Sequence, residues 1–317
     1  MSSAIYFKPL YMERVWGGRG LEEKLNRPLP NEKVIGESWE VVDRPEAQSI
    51  VEGGAYHGLS IHDLMQQCGA EIMGPEYAAS RPFPILVKWL DCQERLSLQV
   101  HPPAGVAEKL QGEPKTENWY VADCEEDADI LAGLKQGVTR ESFEEALNNN
   151  ELEPLVHKTT AKPGDSLFVW SGRIHAIGGG NFILEIQQNS DTTFRVYDWN
   201  RVGLDGKPRD LHVKESLESI EFEDFEPKLL RDTQSGDTLA DCNEFRIRKE
   251  RISGNPPLEF ADSTEPVLIS IVSGTLFVTG EEFREFQTGD TFLVPYTGNI
   301  EVSSANGAVV LITDHFA

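Results

Sequence analysis

The sequence predicts a mainly β protein built as two barrels, and three observations predict it. Short β-prone runs bounded by Gly, Pro, Asp or Asn dominate the 317 residues. Helical periodicity is confined to four stretches, a balance that favours sandwiches or barrels. One strand-and-turn pattern occurs twice in the chain.

In order, the strand-like runs are 34–42, 85–90, 96–100, 119–122, 167–170, 182–187, 267–272, 276–279, 291–294 and 309–313. The helical stretches are 60–67, 105–110 after Pro102-Pro103, 140–148 after Thr139, and 213–220. The repeated pattern is Gly164-Asp165-Ser166-Leu167-Phe168-Val169-Trp170-Ser171-Gly172 and Gly289-Asp290-Thr291-Phe292-Leu293-Val294-Pro295-Tyr296-Thr297-Gly298. Each copy reads as a Gly-Asp turn, an apolar strand and a small-residue turn, so duplication into two barrels is its simplest reading. The acidic, polar segment 221–242 between the copies places the domain boundary near 235. This gives an N-terminal barrel with helical insertions over 1–235 and a second barrel over 236–317.

Composition narrows the function. Apolar residues are 39% and charged residues 26%, a globular profile. No apolar run reaches the roughly 18–20 residues that span a bilayer, and the first residues lack a secretory layout. Cys68, Cys92, Cys124 and Cys242 are widely spaced without a CxxC pair, as expected of reduced thiols in a cytoplasmic protein. A net charge of −24 argues against a nucleic-acid partner, which requires Lys and Arg to displace counterions. It also repels phosphorylated substrates, so one of these would need a local basic pocket.

Four segments carry candidate chemistry. In the run 96–103, residues two apart share a strand face. Ser97, Gln99 and His101 therefore point one way, and an amide oxygen with an imidazole nitrogen suits a metal ion. Lys115 and Glu117 share a face if a strand begins there. A surface ion pair would read the same way. His175 ends Gly164-x(5)-Trp170-x-Gly172-x(2)-His175, one residue from the second cupin motif, whose histidine is a metal ligand inside the barrel. In 184–201, Glu185 and Gln187 share a face, and Arg195 and Arg201 bring positive charge near Asp191. Arginine can hold phosphate through two parallel hydrogen bonds.

Together these segments closely resemble the type I mannose-6-phosphate isomerases, particularly the short bacterial form. The family's Gln-x-His-Pro corresponds to Gln99-Val100-His101-Pro102, and its Lys-x-Glu to Lys115-Thr116-Glu117. Its His-Ala and later Glu-x(4)-Ser-Asp-x(3)-Arg correspond to His175-Ala176, Glu185, Ser190, Asp191 and Arg195. Trp16-Gly17-Gly18 and Gly36-Glu37-Ser38-Trp39 also fit the family. The chain departs from the long form in lacking the His before Lys115, and in having Trp199-Asn200-Arg201 where that form has Thr-Pro-Lys.

The resemblance implies two cupin-like jelly-roll barrels and one Zn2+ per chain, held by Gln99, His101, Glu117 and His175. It implies Arg195, Lys115 and Asp191 as catalytic residues, and Lys88, Ser97, Glu185 and Arg201 as substrate contacts. The implied reaction interconverts mannose 6-phosphate and fructose 6-phosphate through an enediolate. Asp191, Lys115 and a metal-bound hydroxide are the alternatives for the base. The implied partner is a small sugar phosphate, with no membrane or nucleic acid, and the chain is expected as a monomer or weak homodimer. The second barrel, with Asn299-Ile300-Glu301 at the place of His175, is expected to bind no metal. The rival readings are a non-catalytic sugar-binding cupin and an iron-dependent cupin oxygenase.

Overall fold

A computed structural model describes residues 4–78, 80–254, 256–261 and 265–316. The fold is mainly β, with five α-helices among the described residues, and is of the cupin type. The chain forms two compact units. One comprises residues 1–10, 38–89 and 232–317, and the other comprises 11–37 and 90–231. The chain passes between them after residues 10, 37, 89 and 231, so residues 1–10 and 38–89 group with the C-terminal segment. Strands Ile35–Val41 and Ile85–Cys92 each begin in one unit and end in the other.

Two sheets make the barrel of the first unit, beside a short ribbon of Asp43–Arg44 and Ala47–Gln48. The larger runs in the order Thr238–Asp241, Arg246–Ile252, Ala308–Asp314, Val267–Ser273, Thr291–Val294, Ile5–Lys8 and Ile50–Val51. The smaller runs Leu258–Phe260, Ile300–Ser303, Thr275–Thr279 and Phe283–Gln287. Alternation explains the core between them. Ile269, Ile271, Phe292, Val294, Val310 and Ile312 from one sheet pack against Leu276, Val278, Phe286 and Val302 from the other. The helix Ile61–Met73 starts where the Ser60 side chain accepts from the Asp63 backbone N–H.

The second unit is built the same way. One sheet has the order Val156–Thr160, Asp129–Leu134, His175–Ile177, Leu98–Val100 and Phe194–Tyr197. Facing it run Ser166–Val169, Glu117–Cys124 and Asn181–Gln188. Trp119, Val121, Leu167 and Ile183 meet Ile130, Ala132 and Ile177 in the barrel interior. Leu98, Val100, Ala176 and Val196 turn outward instead, with Phe143 of helix Arg140–Asn148 among the residues of this outer core. A Thr139–Ser142 capping box starts that helix.

The repeated sequence pattern is a repeated structure. Asp165 and Asp290 each accept, through a side-chain oxygen, the N–H of the residue three before, Lys162 or Gln287. The Gly164 and Gly289 amides each donate back to a strand, at Val121 and Ile271, whose own amides donate to the Asp165 and Asp290 carbonyls. Both glycines have left-handed φ, 92° and 98°, which glycine tolerates and side chains resist. The two barrels therefore share this turn bond for bond.

Each of the ten expected runs contains a strand, although 96–100 begins only at Leu98, 34–42 contracts to Ile35–Val41 and 167–170 ends at Val169. Helix 140–148 has its expected bounds, while 60–67 continues to Met73 and 105–110 contracts to Ala104–Ala107. Helix Val213–Ser219 is as expected to one residue, and Gly20–Leu25 was not anticipated. All four cysteines are free thiols.

Candidate metal centre

Strand register gathers polar side chains at one end of the second unit's barrel. Glu117 pairs across to Val169 on one side and Gln187 on the other, and Trp119 to Leu167 and Glu185. Directly opposed residues share a face, so these side chains line the interior. On the facing sheet His175 is opposed to Gln99, and Gln99 to Arg195. Ser97, two residues before Gln99, is buried just ahead of the strand, which begins at Leu98.

Two histidines and a carboxylate converge there. The ligand atoms of His101, Glu117 and His175 all lie within 4.8 Å of one another, and all three side chains are fully buried. His101 Nε2 is 3.5 Å from Glu117 Oε2, and His175 Nε2 is 3.6 Å from Glu117 Oε1. A tetrahedral ion with bonds of about 2.0–2.2 Å sets its ligand atoms roughly 3.3–3.6 Å apart.

The imidazoles are prepared for such an ion. His101 Nδ1 lies 2.7 Å from the Thr192 carbonyl, and His175 Nδ1 lies 2.8 Å from the Arg173 carbonyl. A carbonyl only accepts, so each Nδ1 carries the proton and each Nε2 presents a lone pair to the site. Burial lowers the pKa of His175 to about 3 and also lowers that of His101, keeping both rings neutral. His175 Nε2 and Glu117 Oε1 are buried without a hydrogen-bond partner. Orphaned buried atoms of this kind are costly unless a ligand satisfies them. The donor set fits a divalent ion that accepts nitrogen and oxygen.

Lys115 contacts Glu117 Oε2, lies 3.3 Å from His101 Nε2 and stands 3.8 Å from Glu185 Oε1. Burial would lower its pKa, but the Glu117 and Glu185 carboxylates outweigh burial and raise it. Burial likewise opposes ionisation of Glu117, yet the Lys115 ammonium holds its carboxyl well below the usual range. The lysine is an ammonium and the glutamate a carboxylate.

The remaining sequence candidates occupy different surroundings. Glu185 is buried and accepts the Trp119 indole N–H at 3.0 Å. Asp191 is exposed and lies in electrostatic range of both Lys115 and Arg14. Arg195 donates through Nη1 to the Asp210 carbonyl, while its Nε is buried without a partner. Burial and the nearby Arg209 and Arg201 cations lower its pKa. Arg201 is held by Asp198 and by the Arg95 carbonyl, and Asp198 also takes two hydrogen bonds from Arg209. Lys88 belongs to the first unit, where its ammonium stands 5.0 Å from the Trp39 ring centroid.

Sequence reasoning missed the Arg14–Glu37 pair, bonded through two nitrogens at 2.8 and 3.0 Å. Its signal was Gly36: a Cβ there would come within 2.5 Å of Arg14 Cβ, so glycine lets the arginine cross the strand. In the first unit, Glu265, Asp314 and His315 also approach one another, but Asp314 is already engaged by Arg246 and Arg248.

Cupin barrel and buried His-His-Glu centre together define a metal-dependent cupin enzyme. Residues 5–143 match the family model for the phosphomannose isomerase type I catalytic domain. The chain is 37% identical over 301 residues to the mannose-6-phosphate isomerase ManA of Bacillus subtilis, covering 92% of this chain and 93% of that protein. It is 32% identical to the mannose-6-phosphate isomerase of Streptococcus mutans, covering 99% of each. The crystal structure of a mannose 6-phosphate isomerase from Bacillus subtilis matches with a TM-score of 0.87 at 28% identity, covering 98% of this chain and 99% of that one. The chain belongs to the type I phosphomannose isomerase family.

Proposed function

We propose that the protein interconverts mannose 6-phosphate and fructose 6-phosphate, using one Zn2+ held by Gln99, His101, Glu117 and His175. The observation that carries this reading is the pair of orphaned buried atoms, Glu117 Oε1 and His175 Nε2, beside a charged Lys115. Gln99, directly opposed to His175, supplies the fourth protein ligand.

Aldose–ketose isomerisation removes a proton next to a carbonyl and returns it to the neighbouring carbon, by way of an enediolate. A bound zinc ion supplies Lewis acidity toward the substrate's oxygens. Lys115, held as an ammonium between two carboxylates, stabilises developing oxyanion charge as a fixed positive charge. An ammonium has no lone pair with which to take a proton from carbon, so of the two side chains, Asp191 and Lys115, the carboxylate is left as the base. Asp191, beside Lys115 in the field of the site, is the residue we assign to it. Arg195 adds positive charge, with Ser97 and Glu185 orienting hydroxyls and Arg201 supporting the arginine cluster. On a chain of net charge −24, that cluster and Lys115 supply the local attraction a sugar phosphate needs.

The protein works in the cytoplasm as a monomer or weak homodimer, without nucleic-acid or membrane partners. Among the described residues no helix is long and apolar enough to cross a membrane. The experiment is an isomerase assay on both sugar phosphates with zinc-loaded protein. Turnover is expected. Tight sugar-phosphate binding without turnover would mean a binding cupin, and oxygen consumption with iron would mean an oxygenase.

A further inference from the structure

Trp119 does two things at once in the second unit. Its indole N–H donates to Glu185 Oε2 at 3.0 Å, and its ring edge meets His175 at a centroid distance of 5.2 Å and an interplanar angle of 79°. It is only 1% exposed and is directly opposed to Glu185 in the strand register, so neither contact depends on a mobile loop. The other Glu185 oxygen faces Lys115 Nζ at 3.8 Å.

The terminal torsion of glutamate is broad and nearly two-fold, so a carboxylate left alone swings freely. Pinning one oxygen on a rigid indole fixes the direction of the second. Lys115 then stands between the carboxylates of Glu117 and Glu185. We infer that Trp119 is a positioning residue that aims Glu185 at Lys115. The inference rests on the isomerase reading above.

Trp119→Phe keeps an aromatic edge against His175 and removes the N–H. Loss of an outer partner that orients a site residue typically costs 10- to 100-fold in activity. Turnover should therefore fall about 10- to 100-fold with KM changed less than about threefold, and zinc content should stay at the level of the unsubstituted protein. In a Glu185→Ala background the same substitution should change turnover by less than about twofold, because the group it aims is gone. Equal losses in both backgrounds would make Trp119 a packing residue and overturn the inference, as would wild-type turnover in Trp119→Phe. A second measurement needs no Trp119 variant. The Trp119 indole N–H should be a slowly exchanging, downfield NMR resonance that loses both properties in Glu185→Ala, and an unmoved resonance would equally overturn the inference. If the unsubstituted protein does not isomerise mannose 6-phosphate, the functional reading has failed, and the indole resonance still decides whether Trp119 holds Glu185.

Discussion

Glu117→Gln removes one negative charge from a fully buried cluster while preserving shape. In the metal-free protein Lys115 then keeps Glu185, 3.8 Å away, as its near carboxylate. Breaking a buried ion pair typically costs about 3–5 kcal/mol, because the remaining charge is left uncompensated. Glu185 compensates part of that charge, which places the loss near the lower end, about 3 kcal/mol. At roughly 2–4 °C per kcal/mol for a large domain, the metal-free variant should melt about 6–12 °C lower than the metal-free unsubstituted protein. Adding Lys115→Met should recover most of the melting temperature, since a buried pair replaced by neutral groups of similar volume is often neutral in stability. Neither variant should isomerise. The assay is thermal melting of apoprotein beside zinc content and turnover. An unshifted Glu117→Gln variant that still binds one zinc would refute the reasoning.

Arg195→Ala should retain fold and zinc yet lose on the order of 100- to 1000-fold in turnover, measured by steady-state kinetics beside melting. Arg195→Lys should recover only part, because a point charge cannot reproduce a guanidinium fork. Stability of the metal-free protein should fall as pH drops from about 6.5 toward about 3. Over that window the unfolded chain protonates His175 while the buried native ring, with its pKa lowered to about 3, does not. Melting curves across pH should show this slope flattened in His175→Asn, and an unchanged slope would count against a buried neutral His175.

Much of this architecture was legible because alternation and turn chemistry agree. The runs 267–272 and 291–294 bury nearly every residue and announce themselves as strands. Arg246–Ile252 does not, since five of its seven residues are charged and only Ile247 and Ile252 are buried. Ile5–Lys8, His175–Ile177 and Phe194–Tyr197 are three or four residues long, too short for a periodic signal. The grouping of residues 1–10 and 38–89 with the C-terminal segment depends on long-range strand pairing, such as Ile5 with Leu293, which no local pattern encodes. At the site, same-face spacing anticipated Lys115 with Glu117, which touch. The backbone carbonyls of Thr192 and Arg173 that orient the imidazoles carry no residue-type signal. Nor does the indole of Trp119, which reads as ordinary core.

The central claim is that the buried His-His-Glu centre, loaded with metal, carries the isomerisation. Its most direct test is to strip the protein with a chelator and follow the conversion of mannose 6-phosphate to fructose 6-phosphate as zinc is titrated back. Activity should be absent without metal, rise linearly and reach a plateau at about one zinc per chain, in keeping with a single site open to substrate. Stripped protein that turns over at the full rate, or zinc that binds stoichiometrically without restoring any turnover, would contradict it.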